Sequence, residues 1–289
     1  MAGTETPQDQ VYKDAVRREW TAAASGWRRW FDVVEAEGAG RAVTRALLEQ
    51  ARLRPGDVAL DVGSGYGEPG LSAAAEVGKD GHVTCLDISG DMLAFAEERA
   101  RAAGLAHVAF IEADTETAEL EPGHYDVVLS RAALMYASDP LEALRRLRGA
   151  LRPGGRLAAA VWGTPDKVAF SAPVPVIVET LGIEPPSGGP GPFALGEPGA
   201  LEDLVRRAGF AEVVAGTALA VFELADRDAS TRWLRDVAPP ISALVASQPA
   251  TVQNEVWERV TAAWSPFEGE DGHVRLPCTA VWVAATNPG

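Results

Sequence analysis

The sequence predicts an α/β fold, with a parallel sheet that carries helices on both faces. Three observations predict it: a glycine-rich turn after a short apolar strand, an aspartate that closes the next strand, and strand and helix patterns that alternate from Asp57 to Trp162. Such alternation is typical of parallel sheets, because each crossover between neighbouring strands needs a helix. A chain of 289 residues with 47% hydrophobic content can bury a core of this size.

The first strand and its turn carry the strongest local signal. Val58, Ala59 and Leu60 form a short apolar run before Asp61-Val62-Gly63-Ser64-Gly65-Tyr66-Gly67, and a helical apolar pattern follows from Leu71. Glycines are needed in such a turn because the backbone bends sharply and a ligand must approach it without meeting a Cβ atom. The segment therefore predicts the first half of a nucleotide-binding unit.

The second strand ends on a carboxylate. The segment Gly81-His82-Val83-Thr84-Cys85-Leu86-Asp87 predicts a strand that closes at Asp87. A carboxylate at this point can accept hydrogen bonds from both hydroxyls of a ribose, and each charge-assisted bond contributes about 1.5–3 kcal/mol. The alternative is that Asp87 only caps the helix that starts near Gly90. The glycine turn upstream favours the ribose.

The turn does not match the usual phosphate-binding patterns. A dinucleotide fingerprint counted from Gly63 meets Glu68 where its third glycine should stand, and a later start at Gly65 encloses Pro69. No Gly-Lys-Ser or Gly-Lys-Thr follows, which excludes a P-loop. An acidic Glu68 is also an unfavourable neighbour for a pyrophosphate at a helix N-terminus. We expect a cofactor that lacks phosphates and carries a cationic centre.

Four regions are predicted along the chain: an N-terminal helical lid (1–52), a cofactor-binding α/β core (53–162), a cap insertion over the active site (163–200) and a C-terminal completion of the sheet (201–289). The helices of the lid run from about Val11 to Ala51 and are expected to break at Ser25-Gly26. The cap is rich in Pro and Gly around a short helix near Val174–Leu181.

The last region is predicted to return to the sheet. Phe210–Leu224 and His273–Ala285 are predicted strands, and Arg227–Trp264 is predicted to be helical with a break at Pro239-Pro240. Within the core, Asp139-Pro140 is expected to start a helix as N-cap and first-turn proline.

Five segments then follow the order of a known family. They are the glycine turn, Asp87-Ile88, Glu112-Ala113-Asp114, Tyr125-Asp126-Val127-Val128-Leu129-Ser130 and Leu151-Arg152-Pro153-Gly154-Gly155. Together they resemble the motifs of class I S-adenosylmethionine-dependent methyltransferases. The run from Ser130 to Tyr136, followed by Asp139-Pro140, is similar to the branch that contains quinone-biosynthesis and natural-product methyltransferases. The resemblance implies a Rossmann-like, doubly wound sheet of seven strands with the last strand antiparallel.

The resemblance also implies a cofactor, S-adenosylmethionine, which leaves as S-adenosylhomocysteine. The glycine turn would take its methionyl end, Asp87 its ribose, and Met92 and Asp114 its adenine. Trp27 stands where the family often carries a Tyr that touches the cofactor carboxylate, and its indole could donate one N–H. The full predicted cofactor set is Asp61, Gly63, Ser64, Gly65, Gly67, Asp87, Ile88, Met92, Asp114, Thr115, Ser130 and Trp27.

The predicted acceptor pocket is aromatic, with Trp20, Tyr136, Trp162 and Phe170 as its candidate residues. Trp20, Trp27 and Phe31 recur at helical spacing, which fits both a packing stripe and a lid over the site.

Candidates for catalysis come from the segment after the fourth strand. Tyr136 could orient an acceptor hydroxyl, and Arg131 could pair with an acidic group of the substrate or with the cofactor carboxylate. The four histidines (His82, His107, His124 and His273) each precede a predicted strand, at the sheet edge opposite to ligands in open α/β folds. No metal site is expected, because no histidine cluster joins the carboxylates near Asp114.

Composition restricts the partners. The net charge of −15 disfavours nucleic acid and anionic membrane surfaces, because both need cationic patches on the protein. No segment reaches the length of a membrane span and no signal peptide is recognised. Cys85 and Cys278 are expected to be buried reduced thiols, which favours a cytoplasmic location. A homodimer is left open.

The sequence therefore predicts an enzyme that transfers a methyl group to the oxygen, nitrogen or carbon of a small molecule, by in-line displacement that depends on positioning. One alternative is a protein of this fold that binds the cofactor but catalyses a non-methylating reaction such as cyclisation. A nicotinamide-dependent oxidoreductase is a second alternative, opposed by Glu68 in place of the third glycine.

Overall fold

The computed structural model describes residues 6–184 and 188–289 and confirms the predicted fold class. The strands within these ranges are β1 Val58–Val62, β2 His82–Asp87, β3 Val108–Glu112, β4 Tyr125–Arg131, β5 Leu151–Trp162, β6 Ala211–Leu224 and β7 Val274–Thr286. They form one sheet in the order β3-β2-β1-β4-β5-β7-β6. β1 to β5 pair in parallel, whereas β7 lies antiparallel between β5 and β6.

Helices surround this sheet. Those in the described part of the chain are α1 Pro7–Arg29, α2 Phe31–Val34, α3 Gly40–Ala51, α4 Gly70–Val77, α5 Gly90–Ala102, α6 Pro140–Ala150, α7 Val174–Leu181, α8 Ala200–Arg207, α9 Arg227–Val237, α10 Pro239–Ala246 and α11 Ala250–Ala263. A short 3₁₀ turn, Leu134–Tyr136, follows β4. None of the helices in the described ranges has the length and apolarity that crossing a bilayer requires.

The sheet is buried on both faces, as its apolar strands require. One cluster of buried side chains joins alternate residues of β1, β4 and β5 to α3, α4 and the C-terminal helices, and a second joins the intervening residues to α6 and α8. Leu60, Leu129, Leu144 and Leu157 are fully buried in these clusters. The carboxyl ends of the parallel strands therefore lie at one edge of a rigid layer.

The predicted helix break at Ser25-Gly26 is wrong, because α1 continues to Arg29. α1 begins with a capping box, in which Thr6 accepts a hydrogen bond from the backbone N–H of Asp9 and the Asp9 carboxylate accepts from that of Thr6. Gly26 packs against α9, where a Cβ atom would overlap the backbone oxygen of Asp236. The glycine therefore serves a close helix contact rather than a turn.

Several other predicted elements are confirmed. Asp139 caps α6 by accepting from the N–H groups of Leu141 and Glu142, and the helical segment after β6 breaks between Val237 and Pro239. The cap helix α7 has the predicted bounds, whereas Pro185-Pro186-Ser187 of the predicted Pro/Gly loop lies outside the described residues.

Candidate active site

The glycine turn packs tightly against its neighbours. Gly63 and Gly65 adopt φ values of 64° and 53°, which residues other than glycine rarely adopt. A Cβ atom on Gly63 would overlap the Cβ of Ala133, which follows β4, and one on Gly65 would lie 3.2 Å from the terminal methyl of Met92. Both glycines therefore let the turn lie close to the segment after β4 and to the first turn of α5.

Asp87 joins the end of β2 to this turn. Its Oδ2 accepts from the N–H of Gly65 at 2.8 Å and its Oδ1 from the N–H of Ser89 at 2.9 Å. The alternative in which Asp87 caps α5 is wrong, because Ser89 is the N-cap and accepts from the N–H of Met92. Burial raises the pKa of Asp87 to about 6, against the lowering effect of these backbone donors. A carboxylate has about four acceptor sites, so Asp87 can still accept a ribose hydroxyl.

Asp114 carries an ion pair that sequence reasoning did not anticipate. Its Oδ2 lies 2.7 Å from Nζ of Lys13, which also lies 3.5 Å from Glu116. Its Oδ1 accepts from the N–H of Glu116 at 3.0 Å. Because Lys13 belongs to α1, this pair holds the N-terminal helix over the end of β3.

One cavity of about 1560 Å³ connects these features. This exceeds the usual 300–1,000 Å³ of a small-molecule pocket, so the cavity has room for a nucleoside cofactor and a second ligand. Most of the predicted site residues line it. They are Gly63, Ser64, Gly65, Asp87, Ile88, Met92, Asp114, Thr115, Trp20, Trp27, Arg131, Tyr136, Trp162 and Phe170.

Three predicted cofactor residues do not line the cavity: Asp61, Gly67 and Ser130. Asp61 is fully buried and its Oδ2 accepts from the N–H of Gly70 at 2.8 Å, so it supports the turn from behind. Burial raises the pKa of Asp61 well above its ordinary value. Ser130 is fully buried within β4, and Gly67 faces Leu71. These three residues therefore lie behind the cavity wall, and their predicted contact with the cofactor stays a prediction.

Arg131 lies at the cavity wall, but four contacts with the protein engage its guanidinium. Nη2 lies 2.6 Å from a carboxylate oxygen of Glu35 and 2.5 Å from the hydroxyl of Tyr66. Nη1 donates to the carbonyl of Gly40 and to the hydroxyl of Thr44, both at 2.8 Å. This disagrees with the predicted pairing of Arg131 with a substrate acid or the cofactor carboxylate, since its charge is already balanced by Glu35. Arg131 instead ties the end of β4 to Glu35, which follows α2, and to the first two turns of α3.

Some of the N-terminal aromatic residues cover the site, as a lid would, whereas others only pack against the protein. The ring of Trp20 meets that of Tyr136 edge-on at 5.4 Å, and Trp27 stacks on Tyr66 at 5.7 Å. Both tryptophans line the cavity, whereas Phe31 packs edge-on against Tyr66 outside it. Nε1 of Trp27 is shielded from solvent and has no hydrogen-bond partner among the described residues, so a polar ligand atom could satisfy it after a small shift.

The acceptor side of the cavity is a larger aromatic chamber than the sequence predicts. It adds side chains from the cap, from β6 and from the C-terminal helices. The aromatic members are Trp162, Phe170, Phe193, Phe222, Trp233 and Phe267. None of the four histidines lines it. The chamber residues beyond Trp162 and Phe170 come from segments that are far apart in the chain, so no local sequence pattern indicated them.

Glu19 and Tyr12 of α1 also line the cavity, and sequence reasoning missed both. The hydroxyl of Tyr12 donates to the backbone carbonyl of Tyr136 at 2.9 Å. The available signal was an acidic residue within an otherwise apolar helical stripe, because Tyr12, Val16, Glu19 and Ala23 recur at intervals of three or four residues.

The sheet order, the glycine turn and the aspartate at the end of β2 resemble those of class I S-adenosylmethionine-dependent methyltransferases. A family model described as a methyltransferase domain matches residues 53–169. Residues 53–169 therefore form a methyltransferase domain, and the chain resembles the quinone-biosynthesis branch of this class.

Curated relatives agree with this placement. The chain is 33% identical over 129 residues to a ubiquinone/menaquinone biosynthesis C-methyltransferase of Ectopseudomonas mendocina, over 44% of this chain and 50% of that protein. It is 35% identical over 137 residues to an uncharacterized 37.1 kDa protein from a transposon of Streptomyces fradiae, over 47% of this chain and 38% of that protein. The chain therefore spans about half or less of these relatives.

Solved structures share the fold. A phosphoethanolamine N-methyltransferase 2 of Haemonchus contortus, in complex with S-adenosyl-L-methionine, aligns with a TM-score of 0.60 and 18% identity over 99% of this chain and 61% of that chain. The cyclase SpnF aligns with a TM-score of 0.52 and 20% identity over 87% of this chain and 82% of that chain. At such identities the likeness extends to the fold alone.

Proposed function

We propose that this protein transfers the methyl group of S-adenosylmethionine to a small-molecule acceptor. The observation that carries the proposal is the single cavity that runs from the glycine turn and Asp87 into an aromatic chamber. Such a cavity can hold a nucleoside cofactor and an acceptor side by side. When bound, the sulfonium cofactor supplies an activated methyl carbon.

The residues at the end of the cavity near the glycine turn and Asp87 suit a nucleoside without phosphates. Asp87 provides free acceptor sites for ribose hydroxyls, Gly63, Ser64 and Gly65 line the part of the cavity where the methionyl end would lie, and Met92 provides an apolar surface for adenine. The Lys13 ion pair means that Asp114 would share its carboxylate between Lys13 and an adenine amino group. Glu68 is neutralised by Arg99 at 2.8 Å, which weakens the electrostatic argument against a pyrophosphate. The family match therefore supports S-adenosylmethionine more strongly than Glu68 does.

The aromatic chamber favours, as the methyl acceptor, an apolar compound that contains rings and comes from a biosynthetic route. Its aromatic walls would exclude water and hold the nucleophile near the methyl carbon; such positioning can contribute about 7–11 kcal/mol to a displacement. The net charge of −15 supports an acceptor other than nucleic acid. A cytoplasmic setting belongs to this proposal because Cys85 and Cys278 are both buried free thiols. Homodimer formation also stays a prediction.

Two measurements test the proposed function. Isothermal calorimetry should show heat of binding for S-adenosylmethionine and S-adenosylhomocysteine and none for NAD at the same concentration. Cofactor labelled with tritium in its methyl group should then pass the label to hydroxylated aromatic compounds. Binding of NAD alone would refute the proposal. Label that stays on the bound cofactor across a broad acceptor panel would favour a non-methylating reaction, such as cyclisation, in the same cavity.

A further inference from the structure

Glu19 lines the cavity at the end of the aromatic chamber that contains Trp20 and Tyr136. Glu19 lies on α1 beside Trp20, whose ring contacts that of Tyr136. The side chain is half-buried and, among residues 6–184 and 188–289, has no hydrogen-bond or ion-pair partner. A partly desolvated carboxylate without a partner is unusual, because burial of a charge costs free energy unless a partner offsets it.

The other carboxylates of the cavity wall differ from Glu19. Glu68, Asp87, Asp114 and Glu116 all accept hydrogen bonds from the protein. Asp166 has an exposed side chain at the rim. In the described part of the chain, Glu19 is therefore the half-buried carboxylate of this cavity that keeps its full accepting capacity.

The hydroxyl of Tyr136 is the second open polar group in this corner. The Tyr12 hydroxyl is already donated to the carbonyl of Tyr136. The Tyr136 hydroxyl makes no hydrogen bond within the described ranges and is not sealed off from the cavity. A carboxylate only accepts hydrogen bonds, whereas a phenol can donate one. The two groups together match a ligand hydroxyl, which both donates and accepts.

Burial sets the protonation of this corner. It raises the pKa of Glu19 above its ordinary value, against the lowering effect of Arg18. The pKa of Tyr136 is also raised by burial and then by Tyr12 and Glu19, so Tyr136 stays a neutral donor. A base whose pKa approaches the working pH accepts a proton more effectively during the reaction.

We propose that Glu19 is the general base that accepts the proton of an acceptor hydroxyl, which the Tyr136 hydroxyl orients by donating a hydrogen bond to its oxygen. This rests on the proposed methyl transfer. As the oxygen–carbon bond forms and the carbon–sulfur bond breaks, the acceptor proton moves to a Glu19 oxygen. The sulfur retains the electron pair of the broken bond, and Glu19 later releases the proton to solvent.

A matched pair of probes tests the hydroxyl contact without turnover. 2-Naphthol is neutral at pH 7.5 and carries a hydroxyl, whereas 2-(aminomethyl)naphthalene has the same rings and carries an ammonium. The wild-type protein, loaded with S-adenosylhomocysteine, should bind 2-naphthol, and Glu19→Gln should weaken that binding about tenfold, in line with the loss of a charge-assisted hydrogen bond. Asp14→Asn serves as the control, because Asp14 lies on the same helix and pairs with Arg17 outside the cavity.

The other outcomes contradict either the role of Glu19 or the proposed function on which that role rests. Equal 2-naphthol affinity in Glu19→Gln and wild type, or no 2-naphthol binding by the wild type, would remove Glu19 from an acceptor hydroxyl. Loss confined to the ammonium probe would make Glu19 a cation-binding residue instead. A wild-type protein that binds 2-naphthol but no S-adenosylmethionine would contradict the proposed function and leave the hydroxyl contact standing.

A kinetic measurement distinguishes base catalysis from binding alone. With a hydroxylated acceptor that turns over, and with S-adenosylmethionine saturating at every pH so that Asp87 does not contribute, Glu19→Gln should lower kcat about 100-fold or more. The loss of kcat at low pH should also disappear from its pH profile. Calorimetric affinity for S-adenosylmethionine should match that of the wild type. A pH profile that keeps its acidic limb in Glu19→Gln would show that another group accepts the proton.

Discussion

Asp87 shows how one side chain can serve both the fold and the site. Its two oxygens already hold the N–H groups of Gly65 and Ser89, which fixes the turn and the start of α5. The position at the end of β2 was predictable, because a strand with few polar residues ended on a carboxylate. The backbone partners were not predictable, because they depend on the path of the turn in three dimensions.

We predict that affinity for S-adenosylmethionine falls as the pH falls through about 6. Burial raises the pKa of Asp87 to about 6, and only its ionised form offers charge-assisted acceptor sites to the ribose hydroxyls. If binding requires that form, Kd should rise by up to about tenfold per pH unit below this value. Calorimetry at pH 7.5, 6 and 5 measures the change. Asp87→Asn should bind at least about tenfold more weakly at pH 7.5 and lack this dependence.

The raised pKa of Asp87 affects stability in the opposite direction from cofactor binding. The folded pKa of Asp87 lies above its ordinary value of 3.8, so the folded state binds more protons than the unfolded state between about pH 4 and pH 6. The contribution of Asp87 to the free energy of unfolding therefore decreases as the pH rises through that window. A Kd that stays constant from pH 7.5 to pH 5 would contradict the predicted role of Asp87 in ligand binding.

Tyr136→Phe should reduce turnover more than cofactor affinity. The hydroxyl makes no hydrogen bond with the described protein, so its removal should change the free energy of unfolding by less than about 0.5 kcal/mol. Loss of one orienting hydrogen bond should lower kcat severalfold or more, with an unchanged calorimetric Kd for S-adenosylmethionine. Wild-type turnover in this variant would exclude Tyr136 from the acceptor site.

At the scale of elements, local pattern and long-range contact explain the successes and the failures. The strands from β1 to β5 were predicted well because their apolar runs are bounded by glycine, proline or polar turns. The antiparallel β7 came from family resemblance, since orientation leaves no trace in a single strand. The prediction of a helix break at Gly26 was wrong. A glycine is needed there because the helix packs closely against Asp236, which lies in α9 and far away in sequence.

The contact between α1 and α9 leads to a prediction for Gly26→Ala. The added Cβ would overlap the backbone oxygen of Asp236, and overpacking of this kind costs about 1–3 kcal/mol. Urea denaturation should therefore show a lower free energy of unfolding.

Gly149→Ala is the matched control for this substitution. Gly149 lies in α6 with nothing within 4 Å of the added Cβ, so helix propensity alone should stabilise the protein by up to about 1 kcal/mol. If both alanines stabilised the protein, the close packing of α1 on α9 would be refuted.

At the scale of the whole molecule, the cavity is a composite that no single segment encodes. Its floor is the carboxyl edge of the sheet, which the motifs predicted. Its aromatic chamber and the Glu19 corner combine side chains from α1, the cap and the C-terminal helices, whose proximity depends on tertiary packing. Arg131 illustrates the difference, because its position beyond β4 was predictable but its partner Glu35 was not.

The ion pair of Lys13 should control how firmly α1 closes this cavity. Lys13→Met would leave the partly buried carboxylates of Asp114 and Glu116 with less compensating charge, so α1 should separate more readily from β3. Hydrogen exchange followed by mass spectrometry should show faster exchange in the first half of α1, at unchanged exchange in α6.

The control for the Lys13 prediction is Lys79→Met. Lys79 is 90% exposed and pairs only loosely with Asp80 at 3.7 Å, so exchange in α1 should match that of the wild type. Equal protection of α1 in Lys13→Met and wild type would show that its other contacts suffice to hold the helix.

The contacts of Asp236 join two parts of the protein that are far apart in the sequence and are therefore synthesised at different times. Asp236 accepts hydrogen bonds from Arg29 at 2.6 Å and from the indole of Trp30 at 2.8 Å. The ribosome synthesises Arg29 and Trp30 first and Asp236 about two hundred residues later. Until then α1 lacks these contacts with α9, and the cavity stays open on that side. Enclosure of the reaction chamber therefore requires synthesis at least as far as α9, and a chain that stops before α9 would leave the end of α1 without these contacts.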